Sequence, residues 1–233
     1  MARTSQPFHL IRYGAPARET LDYVIAFQCG FLMRLVGVEP KNRYEVGSTP
    51  EGEAEIAALV AEHLTDTGLT RISKARQHEL SAQLLGGLIT QLRSIPLALR
   101  IDHWLRNEYP GLKQQQDASW LHQLDEGVAA LNPRIRRAAP KRISEASIRM
   151  NAAQAAYWAE QWEDEEVVVP YKAVGVLESG RELLQLWREI PGDPIHDPEL
   201  ISAWARKLGI QKWYAIVPFG AAGGEGCAAG EEG

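Results

Sequence analysis

The chain has 233 residues, a formal net charge of -5 and 45% hydrophobic residues. At about 150 residues per domain this is one large domain or two small ones, with enough apolar content to bury a core and too much for wholesale disorder. No run approaches about 18 uninterrupted apolar residues, which argues against a membrane-spanning helix, and mild acidity weighs against broad nucleic-acid binding.

Residues 8–13, Phe-His-Leu-Ile-Arg-Tyr, are β-prone and closed by Gly14 and Pro16, so they predict one short strand. Leu21, Val24, Ile25, Cys29, Leu32 and Leu35 recur at three and four, predicting a helix over about 18–36 with one buried face. Phe27 and Phe31 lie together on a neighbouring face. Residues 37–47 read as a connection. Ser48-Thr49-Pro50-Glu51 is a helix start, with a hydroxyl cap, proline in the first turn and acids for the dipole. That helix ends at Gly68. The next spans 73–94 and stops before Pro96, because proline disfavours helical backbone in the residue before it. Further helices are predicted over 97–109, 112–131, 144–162 with Ser144 as cap, 177–190, and 197–208 behind the cap signature Asp197-Pro198-Glu199. Ala152, Ala155, Ala156 and Ala159 give the 144–162 helix a face that permits close approach. The fold class expected is mainly α: a single helical domain of about eight helices over residues 1–219 with a short N-terminal strand or small β element. Residues 220–233, nearly all Gly, Ala and Glu, predict a flexible tail.

The beginning of the sequence, residues 1–7, carries a charge but no apolar stretch behind it, so it does not read as a secretory signal. Cys29 and Cys227 are too few for a disulfide framework or a four-cysteine metal site. The expected location is cytoplasmic.

Few residues offer chemistry. His78-Glu79 has the start of a zinc-protease helix, but the second histidine would fall at position 82, which is alanine. A solvated His-Glu pair is the plainer reading. Arg134, Arg136, Arg137, Lys141, Arg142 and Arg149 form a basic cluster that suits an anion or an acidic partner, or simply a solvated surface without interleaved aromatics. Asp193, His196 and Asp197 read as turn and cap chemistry. Glu160, Glu163, Asp164, Glu165 and Glu166 read as a helix end facing solvent. Of the seven tryptophans, most, Trp104 among them, belong in a core, and Trp120 suits an interface anchor. No phosphate loop, dinucleotide fingerprint or nucleophile elbow is present.

The stretch Ile25-Ala26-Phe27-Gln28-Cys29-Gly30-Phe31 resembles the metal-binding helix of zincin metallopeptidases of the gluzincin type, with its reactive groups replaced. Phe27 and Phe31 stand at the two histidine positions of His-Glu-x-x-His, Gln28 at the glutamate, and Gly30 at the small position. The 8–13 strand matches the edge strand that precedes that helix. Residues 99–105 resemble the later helix that carries the third ligand, with Asp102 in that place. The ending Trp213-Tyr214-Ala215-Ile216-Val217-Pro218-Phe219 is similar to that of a bacterial helical zincin-like group. The resemblance implies a pseudoenzyme without metal or cofactor, since phenylalanine has no lone pair for zinc and an amide takes up no proton near neutral pH. The same two phenylalanines also fit ordinary core aromatics on a helix. The functional expectation is a non-catalytic, protein-binding regulatory or accessory domain. The alternatives are a metal-dependent hydrolase using His78, Glu79, Asp102 and His103, and a nucleic-acid-associated protein using the basic segment 134–149.

Overall fold

Thr49 shows how local chemistry sets the elements. Its backbone is extended, and its hydroxyl accepts the free N–H of Gly52 at 3.0 Å. Pro50 takes the first helical position, where a missing N–H costs nothing. The helix that follows is one of nine α-helices in the described part of the computed structural model, which covers residues 19–69 and 71–219. The expected strand at 8–13 and the expected tail at 220–233 lie outside the described residues.

In chain order the helices are α1 (Leu21–Val36), α2 (Pro50–Asp66), α3 (Lys74–Glu108), α4 (Lys113–Ala129), α5 (Pro133–Arg136), α6 (Lys141–Trp162), α7 (Val169–Ala173), α8 (Leu177–Glu189) and α9 (Asp197–Leu208). Two strands, β1 (Tyr44–Ser48) and β2 (Tyr214–Pro218), pair antiparallel with Tyr44 opposite Pro218 and Ser48 opposite Tyr214. The architecture is mainly helical with a small β element, as the composition and periodicity indicate. The small β element is present as expected, but its two strands lie at positions that the local pattern does not mark. The segment 37–47 contains the short 3-10 turn Pro40–Asn42 and then β1, and β1 finds its partner about 170 residues later in the chain.

The largest departure is α3. The two helices expected at 73–94 and 97–109 are one 35-residue helix that runs through Pro96. An interior proline removes one backbone hydrogen bond and costs about 3 kcal/mol. Burial on both sides of it offsets that cost: Leu92, Ile95, Leu97, Leu99, Ile101 and Leu105 are all in the core. By length and composition α3 is the one described helix apolar enough to cross a membrane, and 61% of its most apolar stretch is buried inside this fold.

Other corrections are smaller. Ser144 does not cap α6; the helix starts at Lys141 after Pro140, and the Ser144 hydroxyl donates to the Lys141 carbonyl at 3.0 Å. The alanine face of α6 packs on α8 as the small residues suggest. A Cβ on Gly180 of α8 would sit 2.6 Å from the Ala152 carbonyl carbon, so only glycine allows this approach. Trp120 is 2% exposed and is therefore core rather than an interface anchor, whereas Trp104 is half-buried and reaches the surface.

Candidate functional site

Helix α1 carries the motif residues, and two carboxylates fasten it to the body of the fold. Near its start, the Tyr23 hydroxyl donates to Asp102 Oδ1 at 2.7 Å and accepts from Trp120 Nε1 at 3.1 Å. Gln116 Nε2 donates to the same Asp102 oxygen and to the Asp102 carbonyl, both at 3.0 Å. Among the described residues no cation touches the carboxylate, and its Oδ2 is buried without a partner. Burial pushes the Asp102 carboxyl up to about 7, against the pull of the hydrogen bonds from Tyr23 and Gln116. Burial also raises the Tyr23 phenol, and the neighbouring Asp102 charge adds to this.

Near the end of α1, Arg34 donates to Asp197 through Nε at 2.8 Å and Nη2 at 2.5 Å, and to the Gly192 carbonyl at 2.8 Å. Arg100 of α3 donates to the same Asp197 at 2.9 Å and to the Ile190 carbonyl at 3.0 Å. The Arg100 side chain is 4% exposed and its Nε is buried without a partner. Burial lowers the Arg100 pKa, the Arg34 charge lowers it further, and Asp197 opposes both. Asp197 was expected to act as a cap. It occupies the first position of α9 and binds two guanidiniums instead.

The motif positions sit between these anchors. Phe27 packs against Tyr23 with ring centroids 5.7 Å apart and edge-to-face on Phe31 at 5.3 Å. Gln28 and Phe31 line a cavity of about 180 Å³ together with Arg34, Tyr44, Arg93 and Asp197. Asp102 does meet α1, one turn before Phe27 and through Tyr23, so it does not join Gln28 and Phe31 at their cavity. On the far side of Arg34 lies a second cavity of about 220 Å³, lined by Gly30, Met33, Ile101, Trp104 and Pro194. A Cβ on Gly30 would stand 2.5 Å from Ile101 Cγ2, so glycine lets α1 lie this close to α3. Met33 is 53% exposed at the rim, Val36 and Ile195 are exposed beside it, and Trp104 stacks edge-on against exposed Tyr109 at 5.2 Å.

The other candidates are dispersed. Residues 78 and 102 are 24 positions apart on one helix, about 36 Å at 1.5 Å per residue, so His78 and Glu79 do not approach Asp102 and His103. His103 instead faces the Tyr157 hydroxyl at 3.3 Å and the Trp187 ring at 5.7 Å, and burial lowers its pKa. Among the described residues, no group of three or more His, Cys, Asp or Glu side chains could hold a metal ion. The basic cluster divides. Arg142 pairs with Glu55, donates to the Gly209 carbonyl and lies 4.7 Å over the Trp213 ring. Indole and guanidinium hydrogen bonds together hold the Glu55 carboxyl below its ordinary value. Arg136, Arg137 and Lys141 line a shallow depression beside His63, and Arg134 is exposed next to it.

Arg34, Arg100, Met33 and Trp104 were missed by sequence reasoning. Arg100 carried a signal, because a cation inside the apolar run 95–101 needs a buried partner. No family model, no curated protein and no solved structure matches the chain.

Proposed function

We propose that this chain is a non-catalytic helical domain on a zincin-like plan that works by binding another protein, as a regulatory or accessory subunit. The observation that supports binding is the cleft between α1 and α3. Met33, Trp104 and Pro194 line it, Val36, Ile195 and Tyr109 are exposed around it, and the Arg34 and Arg100 guanidiniums stand at its edge. Tryptophan, tyrosine and arginine around an apolar pocket are the side chains that dominate binding energy in protein interfaces. The approach of Asp102 to α1 supports the scaffold reading, because a third-ligand position belongs beside that helix. In this chain the position is sealed under Tyr23 and Trp120.

The test is site-specific photo-crosslinking in cells. A crosslinker at position 33 is expected to capture a discrete partner, and one at Leu121, an exposed apolar residue of α4, is expected to capture none. Trp104→Glu should abolish the position-33 product while leaving the fold intact. Equal capture from both positions, or a product that survives Trp104→Glu, would remove the cleft from the account.

A further inference from the structure

Helix α3 carries a glycine at position 87, in its middle, where glycine loosens a helix relative to most residues with a Cβ. The described fold gives no reason for it: the φ of Gly87 is not positive, and a Cβ built there meets no atom within 4 Å. The open space belongs to a groove between α3, α5 and α6. Two depressions, of about 400 and 260 Å³, make up this groove and share Arg136, Ala139 and Ser144 in their walls. Leu84, Leu88 and Ile143 supply its apolar lining, and Ile135 stands 52% exposed at its side. Along α3 the groove runs from residue 83 to residue 91, about 12 Å at 1.5 Å per residue. It shares no lining residue with the cleft between α1 and α3, so it stands independently of that cleft.

The charge around the groove is one-sided. The chain is acidic overall, at -5, yet residues 134–142 hold five cations and no acid. Arg142 is spent on Glu55 and the Gly209 carbonyl. Among the described residues, the Arg134 and Arg136 side chains have no partner, and Arg137 uses only its Nε, on the Pro133 carbonyl. Lys141 stands 3.7 Å from Glu145 with its side chain 85% exposed, a pairing that water screens. No acid and no Phe, Tyr or Trp lines either depression among the described residues, so a nucleic-acid strand finds no stacking surface here. The walls are helices whose backbone groups are bonded internally, so an occupant is met through side chains and not by strand addition.

We infer that this groove is a docking site for an acidic amphipathic helix of a partner protein. Its apolar side sits on Leu84, Leu88 and Ile143, close against Gly87, and its carboxylates meet Arg134, Arg136, Arg137 and Lys141. The groove matches about two helical turns, which bring two or three apolar side chains to one face at spacings of three and four. Guanidiniums suit the flanking carboxylates because their N–H donors match two oxygens at once.

The experiment is titration of the full chain, by NMR and fluorescence anisotropy, with a labelled helical peptide of about 15 residues. The probe carries leucine at spacings of three and four and glutamate on the rest of the helix. Saturable one-to-one binding is expected, weakening as sodium chloride is raised, with the Gly87 and Ser144 amide resonances moving along the isotherm. A peptide of the same composition with its leucines scattered around the helix is expected to bind at least about tenfold more weakly. Arg136→Glu and Gly87→Leu are each expected to weaken binding by about tenfold or more. Gly87→Leu fills the groove without altering charge, and Tm should hold or rise, since leucine favours a helix more than glycine does. Arg181→Gln, on α8, is expected to leave binding unchanged. Equal binding of the two peptides, full binding retained by Gly87→Leu, or no saturable binding of the leucine-faced peptide would each overturn the inference. Binding of phosphatidylglycerol vesicles or of single-stranded DNA in place of the peptide would overturn it in favour of a membrane or a nucleic acid.

Discussion

Asp102 and Asp197 are both buried, and both hold α1, yet they are solvated by opposite means. Among the described residues Asp102 meets neutral donors, chiefly a phenol and an amide, with one oxygen left bare. Asp197 meets two guanidiniums through three charged hydrogen bonds. The first environment penalises the negative charge, so the carboxyl is pushed up to about 7. The second over-supplies positive charge and opens onto a cavity. A carboxylate that contacts α1 near its start is thus held by neutral donors, while the one near its end is held by an excess of positive charge.

The sharpest break of this comparison is substitution of each acid by its amide. Asp197→Asn leaves Arg34 and Arg100 buried without a counter-charge and should cost about 3–5 kcal/mol in denaturant unfolding. Asp102→Asn keeps an oxygen for Tyr23 and Gln116 and should cost far less at neutral pH. Equal losses would erase the distinction.

The pH dependence comes next. The Asp102 carboxyl is raised in the folded state to about 7, above its unfolded value of about 3.9. The folded state then holds a proton that the unfolded state has lost. Its contribution to stability is fully present below about pH 4 and is lost as pH rises through about 7. The difference between the parent protein and Asp102→Asn should therefore fall with pH across this window, by at most about 1.4 kcal/mol per unit. A flat difference would show that Asp102 is charged in the folded protein at low pH.

Between these anchors, Gly30→Ala forces a methyl against Ile101 and should destabilise by about 1–3 kcal/mol. It should also reshape the cleft that Gly30 and Ile101 line. The smallest effect on stability belongs to Met33→Glu, within about 0.5 kcal/mol because the residue is exposed. The same change should lower partner affinity by about tenfold or more, as removal of an interface anchor does.

Much of this fold was legible because its signals are local. Thr49-Pro50 fixed the start of α2, and the alanine spacing of α6 announced a close helix contact. The failures came where distant contacts override local preference. Pro96 reads as a stop, and burial of six neighbouring apolar side chains carries α3 through it. The strands β1 and β2 have no strong pattern of their own, since each is half-buried and stabilised by the other. For the site, periodicity placed Gln28 and Phe31 on one helix, while the bond from Tyr23 to Asp102, which ties that helix to α3, is set by tertiary packing. Periodicity could not show that Asp197 turns from its cap position toward two arginines, 163 and 97 residues away in sequence. Nor could it exchange the roles of Trp120 and Trp104, because both occupy amphipathic helices and only the packing decides which one reaches the surface.

The proposal that this chain acts through the cleft between α1 and α3, while Asp102 only holds α1 in place, is tested most directly by one crosslinking comparison. With the photo-crosslinker at position 33, the yield of the partner product would be measured in the parent background, in Asp102→Asn and in Trp104→Glu. The product should persist in Asp102→Asn and disappear in Trp104→Glu. Loss in Asp102→Asn with the fold intact, together with survival in Trp104→Glu, would contradict the claim and return the function to the buried acid.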